Sequence, residues 1–334
     1  MGIFSSYING ICVGSFSQTS QIDVQDFVIG RYWVNYDAYY FDGLITNLRI
    51  SSEALYTDTF APPLNKLTND LNTQLLIPVN SVDLYFDTSD NNISVTQHNS
   101  VGFTSSLPDF FITDGLLVYL DATIPISYGS DGGGTWYDLS GNNNDATLIN
   151  GSGTSYGFTW SSDNDGVVQF DGYGVVFNGN LSSRGEINLN LSGGDCTIIY
   201  GTKFLQNTPG FRPSGRSMGG KNENFVLGTW NNSVRQFFTA PSGFVYGGVG
   251  NQTDLNWHIY TGVMGSSTKF WDNDTKLVNS FPTNAIGPNG IVLASDGIYG
   301  ESSNCQISFV LVYNRVLTDE EVLQTYNYFK SRFF

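Results

Sequence analysis

The chain carries one type of domain ending twice, and this repeat constrains its architecture more than any other feature. Residues 305–322 have the pattern of a strand followed at once by a capped helix. A similar segment, residues 41–56, occurs much earlier in the chain. The two segments lie roughly 260 residues apart, a spacing too long for a solenoid and suited to tandem domains. Because so few residues precede the first ending, we expect the first domain to be incomplete.

The composition narrows the class of protein. A chain of 334 residues suggests about two domains. Many short apolar runs broken by glycine and asparagine favour an all-β sandwich. The net charge is −16, without any cluster of lysine and arginine, which argues against binding to nucleic acid or to an anionic membrane surface. No apolar run approaches the 18 residues that a membrane span needs, so we expect no membrane insertion.

The local pattern predicts individual elements. Asn9-Gly10 is a strong signal for a hairpin turn. Thr318 and Glu321 form a capping box that should begin a helix over 319–331, with Val322 on its buried face. Apolar runs bounded by turn residues predict strands at 27–30, 44–50, 74–77, 82–86, 93–96, 115–121, 167–170, 197–202, 225–228, 257–263, 268–271, 290–294 and 306–313.

Several short segments resemble laminin G-like domains of the concanavalin A-like jelly-roll superfamily. Those in the second half of the chain are Tyr119-Leu120-Asp121-Ala122, Trp136-Tyr137-Asp138-Leu139-Ser140-Gly141-Asn142, Val168-Gln169-Phe170-Asp171-Gly172, Asn256-Trp257-His258 and Val310-Leu311-Val312-Tyr313-Asn314-Arg315. Those near the start are Tyr7-Ile8-Asn9-Gly10, Ile29-Gly30-Arg31-Tyr32-Trp33, Phe41-Asp42-Gly43, Leu48-Arg49-Ile50, Ala54-Leu55-Tyr56 and Phe60-Ala61-Pro62-Pro63.

This resemblance implies an all-β fold, an antiparallel jelly-roll β-sandwich with a C-terminal helix, over residues 113–334. It implies the C-terminal half of a second laminin G-like domain, a partial sandwich, over residues 1–65. Residues 66–112 are then a β-rich linker module, and its part from Leu75 to Phe111 is similar to the linker that joins such domains in structural proteins of marine tailed phages. The missing first strands have three explanations: a partner chain supplies them, the remaining hairpins make a smaller module, or the chain is a fragment of a longer product.

The resemblance also implies a function. We expect a virion structural protein on the external surface of the particle, a fibre, appendage or capsid-decoration subunit in contact with other virion proteins. Its work would be attachment to a host-surface glycan or assembly of the particle. Unpaired strand edges in the first domain favour a homo-oligomer, with a trimer the first choice. The alternative is a secreted carbohydrate-active enzyme or adhesin with a concanavalin A-like domain.

Catalytic patterns are absent from the sequence. Glycoside hydrolysis needs two carboxyl groups about 5–9 Å apart, and no strand carries a matching run of acidic residues. Glu186, Glu223 and Glu301 are isolated in the sequence, and His258 follows Trp257 without a nucleophile nearby. We therefore expect that the chain is not an enzyme.

Two Asp-rich turns are candidate cation sites. Asp163 and Asp165 flank Asn164 before a glycine, and calcium is the ion that such loop carboxylates would hold. Asp-Asn-Asp at 272–274 is the second such turn. Both patterns also form ordinary turns through side-chain bonds to the backbone, and this is the stronger interpretation. No cofactor is expected otherwise.

Aromatic residues in loops are the candidates for ligand binding. A sandwich rich in aromatic residues buries most of them, so an exposed cluster would mark recognition. The candidates are Trp33, Tyr36 and Tyr39 in the first domain, and Trp230 and Tyr246 in the second.

The three cysteines, Cys12, Cys196 and Cys305, are too few for a disulfide framework and are expected to be small core residues. Cys196 and Cys305 could meet only if their strands are neighbours.

Overall fold

The structure, a computed structural model, folds into two compact units, Met1–Pro108 and Asp109–Phe334. Each unit is described separately below. The residues that the structure describes are 2–8, 11–18, 28–29, 48–58, 60, 67–77, 87–91, 93–95, 111–128, 133–149, 158–161, 166–170, 183–205, 215–230, 233–240, 242–248, 255–266, 268–281 and 285–334.

Unit 1 contains two antiparallel strand pairs. β1 (Gly2–Ile8) pairs with β2 (Ile11–Gln18), which confirms the hairpin predicted from Asn9-Gly10. β3 (Leu48–Ser51) pairs with β4 (Thr73–Ile77). The strand of the first domain ending therefore has a partner strand within the same chain.

Unit 2 is a sandwich of two antiparallel sheets, which confirms the predicted fold class. The front sheet has the order β15-β14-β13-β12-β19-β10-β7-β6. Its strands are β6 (Thr135–Trp136), β7 (Ala146–Ile149), β10 (Arg184–Asn190), β12 (Met218–Gly220), β13 (Phe225–Trp230), β14 (Ser233–Thr239), β15 (Gly243–Gly247) and β19 (Asn289–Leu293).

The back sheet has the order β18-β17-β16-β11-β20-β9-β8, and β5 pairs with β20 as well. Its strands are β5 (Leu116–Asp121), β8 (Phe158–Ser161), β9 (Val167–Phe170), β11 (Cys196–Phe204), β16 (Trp257–Met264), β17 (Lys269–Asp272), β18 (Thr275–Val278) and β20 (Cys305–Tyr313). The first and last strands of unit 2 are thus neighbours.

The core of unit 2 lies between the two sheets. Alternate residues of each strand face it, because successive side chains of a strand point to opposite faces. The largest side chains of this core are aromatic: Trp136, Tyr128, Tyr200, Tyr260, Phe225, Phe237 and Phe270. Four more large aromatic side chains are fully buried outside this cluster: Tyr119, Trp271, Phe309 and Tyr313. β20 is buried along its whole length, as expected for a strand covered on both faces.

Helix α1 (Asp319–Lys330) covers the outer face of the back sheet. The predicted capping box is present: the Thr318 side chain accepts from the Glu321 N–H, and the Glu321 carboxylate accepts from the Thr318 N–H at 2.8 Å. The Phe329 ring stacks on Phe309 at a centroid distance of 3.8 Å. Just beyond the helix, the Arg332 guanidinium donates to both carboxylate oxygens of the buried Asp121, at 2.8 and 2.9 Å.

Two expectations about cysteines need correction. Cys12 is exposed rather than a core residue, because its strand belongs to a two-stranded hairpin with no described covering layer. Cys196 and Cys305 are buried and free. Their strands are neighbours, yet the antiparallel register puts Cys305 opposite Phe204, at the far end of β11 from Cys196. Within the described part of the chain, no helix is long and apolar enough to cross a membrane.

Candidate functional site

One row of side chains lies on the outer face of the front sheet. Each strand from β10 to the β15 edge contributes one residue, paired with residues of the neighbouring strands. The residues on either side of this row in each strand, such as Ile187, Phe237 and Ile291, lie in the core. The row itself must therefore point away from the core. From the β10 side to the β15 edge it reads Glu186, Val292, Gly219, Val226, Phe238 and Phe244.

The connection between β19 and β20 crosses this face at Gly219. A Cβ atom at Gly219 would lie 2.5 Å from the Ser295 carbonyl oxygen and 2.7 Å from the Asp296 Cβ. Such distances are closer than real Cβ contacts, so only glycine lets the crossing loop lie this close to the sheet. The loop covers Val292 completely but leaves the β14 and β15 end of the row accessible.

A buried ionic network holds the loop in place. Asp296 is fully buried, and its Oδ1 accepts the backbone N–H groups of Tyr299 and Gly300 at 2.8 Å each. Arg216, with only 2% exposure, bridges Asp296 at 3.3 Å and also contacts the Glu301 carboxylate. Breaking a buried pair of this kind leaves an uncompensated charge and is strongly destabilising. The loop is therefore fixed before any ligand arrives.

Three aromatic rings lie together beside this loop, and we name them the aromatic patch: Trp230, Phe238 and Phe244. Ring centroids are 5.7 Å apart between Trp230 and Phe244, and 5.1 Å apart between Phe238 and Phe244. Phe244 is 45% exposed. The indole N–H of Trp230 donates to Glu301 Oε2 at 3.2 Å, which ties the patch to the loop.

The loop contributes further exposed surface next to the patch. Tyr299 is 55% exposed, and its ring lies 5.5 Å from the Arg216 guanidinium carbon. The site therefore combines flat apolar rings, a fixed carboxylate and a phenol. Such a set can stack on an apolar ring face of a ligand while Glu301 accepts hydrogen bonds from its hydroxyl groups.

The predicted ligand-binding residues fall in different places. Trp230 lies in the aromatic patch. Tyr246 is half-buried and points to the core, where its ring lies 5.9 Å from Phe270. Trp33, Tyr36 and Tyr39 lie outside the described residues.

Four residues were not predicted from the sequence as parts of one site: Arg216, Phe238, Tyr299 and Glu301. Arg216 lies in a Gly- and Pro-rich segment without a periodic pattern, and Glu301 is far from it in the sequence. The one available signal was the Asp-Gly turn at Asp296, which marks a tight loop after a predicted strand.

One of the two Asp-rich turns, 272–274, lies among the described residues. Asn273 adopts a left-handed conformation (φ 56°) between β17 and β18, and its side chain accepts the Ile259 N–H at 2.8 Å. This confirms the turn interpretation for 272–274. Asp163 and Asp165 lie outside the described residues, and among the described ones no group of three His, Cys, Asp or Glu side chains could hold a metal ion.

A second concave feature lies at the end of the back sheet. It is an open cleft of about 440 Å³, and beside it the buried Asp272 accepts from Arg235 Nε at 2.6 Å and lies 2.7 Å from His258 Nδ1. The residues that line it are Lys203, Arg235, Leu255, Asn256, Trp257, His258, Asn273, Phe333 and Phe334.

Comparisons with known proteins give likeness in fold only. No protein-family model matches the chain, and no curated protein matches it. Trypanosoma rangeli sialidase matches with a TM-score of 0.46 and 12% identity over 67% of this chain and 34% of that chain. Domain 4 of AbnA, a GH43 extracellular arabinanase from Geobacillus stearothermophilus, matches with a TM-score of 0.44 and 13% identity over 63% of this chain and 97% of that chain.

The binding domain of Paraclostridial Mosquitocidal Protein 1 is similar at a TM-score of 0.44 and 14% identity, over 64% of this chain and 52% of that chain. This chain thus spans only about a third of the sialidase.

The expectation that the chain is not an enzyme is corrected by these matches, because a sialidase and a domain of an arabinanase are among them. That expectation assumed that paired carboxylates would occur along a single strand. A search along single strands misses carboxylates that a loop brings together, as Asp296 and Glu301 are brought together around Arg216.

Proposed function

We propose that unit 2 is a carbohydrate-binding domain and that its binding site is the aromatic patch with the adjoining loop. The observation that carries this proposal is the group of Trp230, Phe238 and Phe244 on an open sheet face, held against Glu301 by a hydrogen bond of 3.2 Å. Sugars present apolar ring faces together with hydroxyl groups, and a stacking surface beside a fixed acceptor suits both.

The charge of the site favours neutral sugars. The chain carries a net charge of −16. Arg216, which contacts Glu301 beside the patch, is almost fully buried and already paired with Asp296 and Glu301. A carboxylated or sulfated saccharide would meet like charge at Glu301, and Arg216 is not accessible to offset it. The AbnA domain was solved with arabinotriose, a neutral saccharide, which is the ligand class proposed here.

The test is a titration of the full chain by calorimetry with neutral oligosaccharides (arabino-, xylo-, cello- and malto-series) and with sialyllactose as the anionic comparison. Trp230→Ala and Phe244→Ala should each weaken binding of a neutral sugar by about tenfold or more, equivalent to about 1.4 kcal/mol. Tyr137→Ala is the matched control, since Tyr137 is 54% exposed but follows β6 at the opposite edge of the front sheet.

Binding that survives both patch variants, or that Tyr137→Ala removes, would place the sugar elsewhere. Preference for sialyllactose would contradict the choice of neutral sugars.

We further propose that this binding serves attachment of a virus particle to a host-surface glycan, with the chain as an external fibre, appendage or decoration subunit, assembled as a homo-oligomer. The support is the tandem pattern of the two domain endings and the resemblance of residues 75–111 to segments of structural proteins of marine tailed phages. Immunogold labelling of source particles with an antibody to this chain tests the location, and sedimentation of the full chain tests the oligomer. Unlabelled particles, or a monomer at micromolar concentration, would contradict these two points.

A further inference from the structure

A hydrogen-bonded loop fixes the first strand of unit 2. Asp138 Oδ1 accepts the N–H groups of Tyr119 and Ser140 at 2.8 and 2.9 Å. Its Oδ2 accepts the Ser140 hydroxyl at 2.7 Å and the Asn144 N–H at 2.9 Å.

Unit 1 contains the same loop around Asp87. Asp87 Oδ1 accepts the N–H groups of Leu76 and Ser89 at 2.8 and 2.9 Å. Its Oδ2 accepts the Ser89 hydroxyl at 2.6 Å and the Ile93 N–H at 2.8 Å. Each bond of the Asp138 loop therefore has a counterpart with the same donor and acceptor types. The serines follow their aspartates by two residues and the last N–H donors by six in both loops. The strand N–H group comes 19 residues before Asp138 and 11 residues before Asp87.

The two loops also make the same side-chain hydrogen bonds to the carbonyl groups of their strands. Asn142 Nδ2 donates to the Leu116 carbonyl at 3.0 Å, and Asn91 Nδ2 donates to the Thr73 carbonyl at 3.0 Å. The two serines make a parallel contact, donating to the next carbonyl along the strand at 3.0 Å in unit 2 and 3.1 Å in unit 1. By these contacts, β4 in unit 1 corresponds to β5 in unit 2.

The strand pairing extends the correspondence to β3 and β20. Both pairs are antiparallel, and both contain one register shift at the equivalent position. In unit 1 the facing pairs are Leu48 with Ile77, Arg49 with Leu76, Ile50 with Leu75, then Ser51 with Thr73. In unit 2 they are Val310 with Leu120, Leu311 with Tyr119, Val312 with Val118, then Tyr313 with Leu116. β3 thus corresponds to β20, the closing strand of the sandwich.

The order of the two strands is reversed between the units. In unit 2 the opening strand β5 comes first in the chain and the closing strand β20 comes last. In unit 1 the closing strand β3 precedes the opening strand β4. We infer that unit 1 is a circularly permuted module of the same type as unit 2, in which β4 and the Asp87 loop supply the opening strand from a position after the closing strand β3 in the same chain.

The geometry of the sandwich permits this permutation. Because the opening and closing strands are neighbours, a short connection between their ends leaves every strand contact in place. In unit 1 that connection is the segment from 52 to 72, and its Ser52 N–H donates to the Asn72 carbonyl at 2.8 Å. Unit 2 has the equivalent bond from Asn314 to Gly115, at 2.9 Å. The segment after residue 66 is then part of the module rather than a linker, and β3 takes its partner strand from its own chain.

Disulfide capture in the full chain tests the inference. Ile50→Cys with Leu75→Cys joins β3 to β4, and Val312→Cys with Val118→Cys is the matched control at the same register in unit 2, both in a Cys12→Ser background. Facing residues of antiparallel strands lie about 4.5–5.5 Å apart, within the reach of a disulfide. After mild oxidation, intact-mass analysis and non-reducing gels should show closure within one chain for both pairs. Dimers linked through the unit 1 pair would overturn the inference.

Hydrogen exchange gives a second measurement that does not depend on the cysteine variants. Asp87→Ala should speed exchange in β3 and β4 together and leave unit 2 unchanged, because the loop and both strands form one frame. Asp138→Ala should do the same for β5 and β20 and leave unit 1 unchanged. Continued protection of β3 while β4 exchanges freely would show that β4 is not its structural partner, which would equally overturn the inference.

Discussion

Replacing Phe329 with alanine is the sharpest test of the helix that covers the back sheet. The side chain is fully buried. Its ring stacks on Phe309 at 3.8 Å with an interplanar angle of 13°, and the Arg332 guanidinium carbon lies 4.6 Å from its centre. Burial of a phenylalanine side chain contributes about 1.5–3 kcal/mol, and the cavity left behind brings the cost of Phe→Ala to about 3–5 kcal/mol.

Urea unfolding followed by tryptophan fluorescence measures this loss, since every tryptophan except Trp33 lies in unit 2. With a denaturant slope of about 3 kcal/mol per molar urea, the midpoint should fall by about 1 M or more. Leu323→Ala is the control on the same helix: this side chain is 39% exposed, and its loss should cost less than about 0.5 kcal/mol. A loss below about 1 kcal/mol for Phe329→Ala would refute the reasoning, because the helix would then be peripheral to unit 2.

Two further predictions concern titrating groups. Burial raises the pKa of both Cys196 and Cys305 to about 12, so at pH 8 a thiol reagent should modify the exposed Cys12 alone and reach the other two only after unfolding. Rapid modification of two or more thiols in the folded chain would contradict this. Hydrogen bonds from Arg315 lower the pKa of Glu321 below its ordinary value of 4.5, so the stability that this group adds is full above pH 4.5 and is lost as the pH falls through the lowered pKa. In acid-unfolding experiments, Glu321→Gln should make the free energy of unfolding fall less steeply below pH 4.5. An unchanged curve would count against a stabilising Arg315–Glu321 ion pair.

The hairpin and the helix cap were predictable because each is determined by interactions between residues close together in the sequence. The pairing of β1 with β2, predicted from Asn9-Gly10, and the capping box of Thr318 and Glu321 each depend on a few adjacent residues, and both are observed. Strands buried on both faces, such as β16 and β20, were also found, because continuous apolar runs have few other interpretations.

Strands of the front sheet were harder to predict. β10 alternates core residues with charged ones, including Arg184 and Glu186 on the outer face, and β12 is only Met-Gly-Gly. Neither has the apolar run that marks a strand in isolation. These strands exist because neighbouring strands supply hydrogen bonds and core contacts, which is tertiary information.

The candidate site was predictable only in part. Trp230 was named from its type and its loop setting, but its partner Glu301 comes from a different connection of the sandwich. Arg216, which holds that connection, comes from a third segment. Contacts between residues so far apart follow from the topology, which one sequence alone does not determine. The same limit applies to β4: its apolar run was predicted correctly as a strand, but its pairing with β3 was not predicted.

A substitution at Gly219 offers a genetic test that separates folding of the aromatic patch from the proposed ligand binding. Any side chain at this position would push the Ser295 carbonyl away from the sheet and, with it, the loop that carries Glu301. Gly219→Ala is therefore expected to abolish recognition while every aromatic ring of the patch is retained. In a source organism amenable to mutation, this single methyl group would act as a loss-of-binding allele. Comparing this allele with a deletion of the gene would separate the effect of losing ligand binding from the effect of losing the protein.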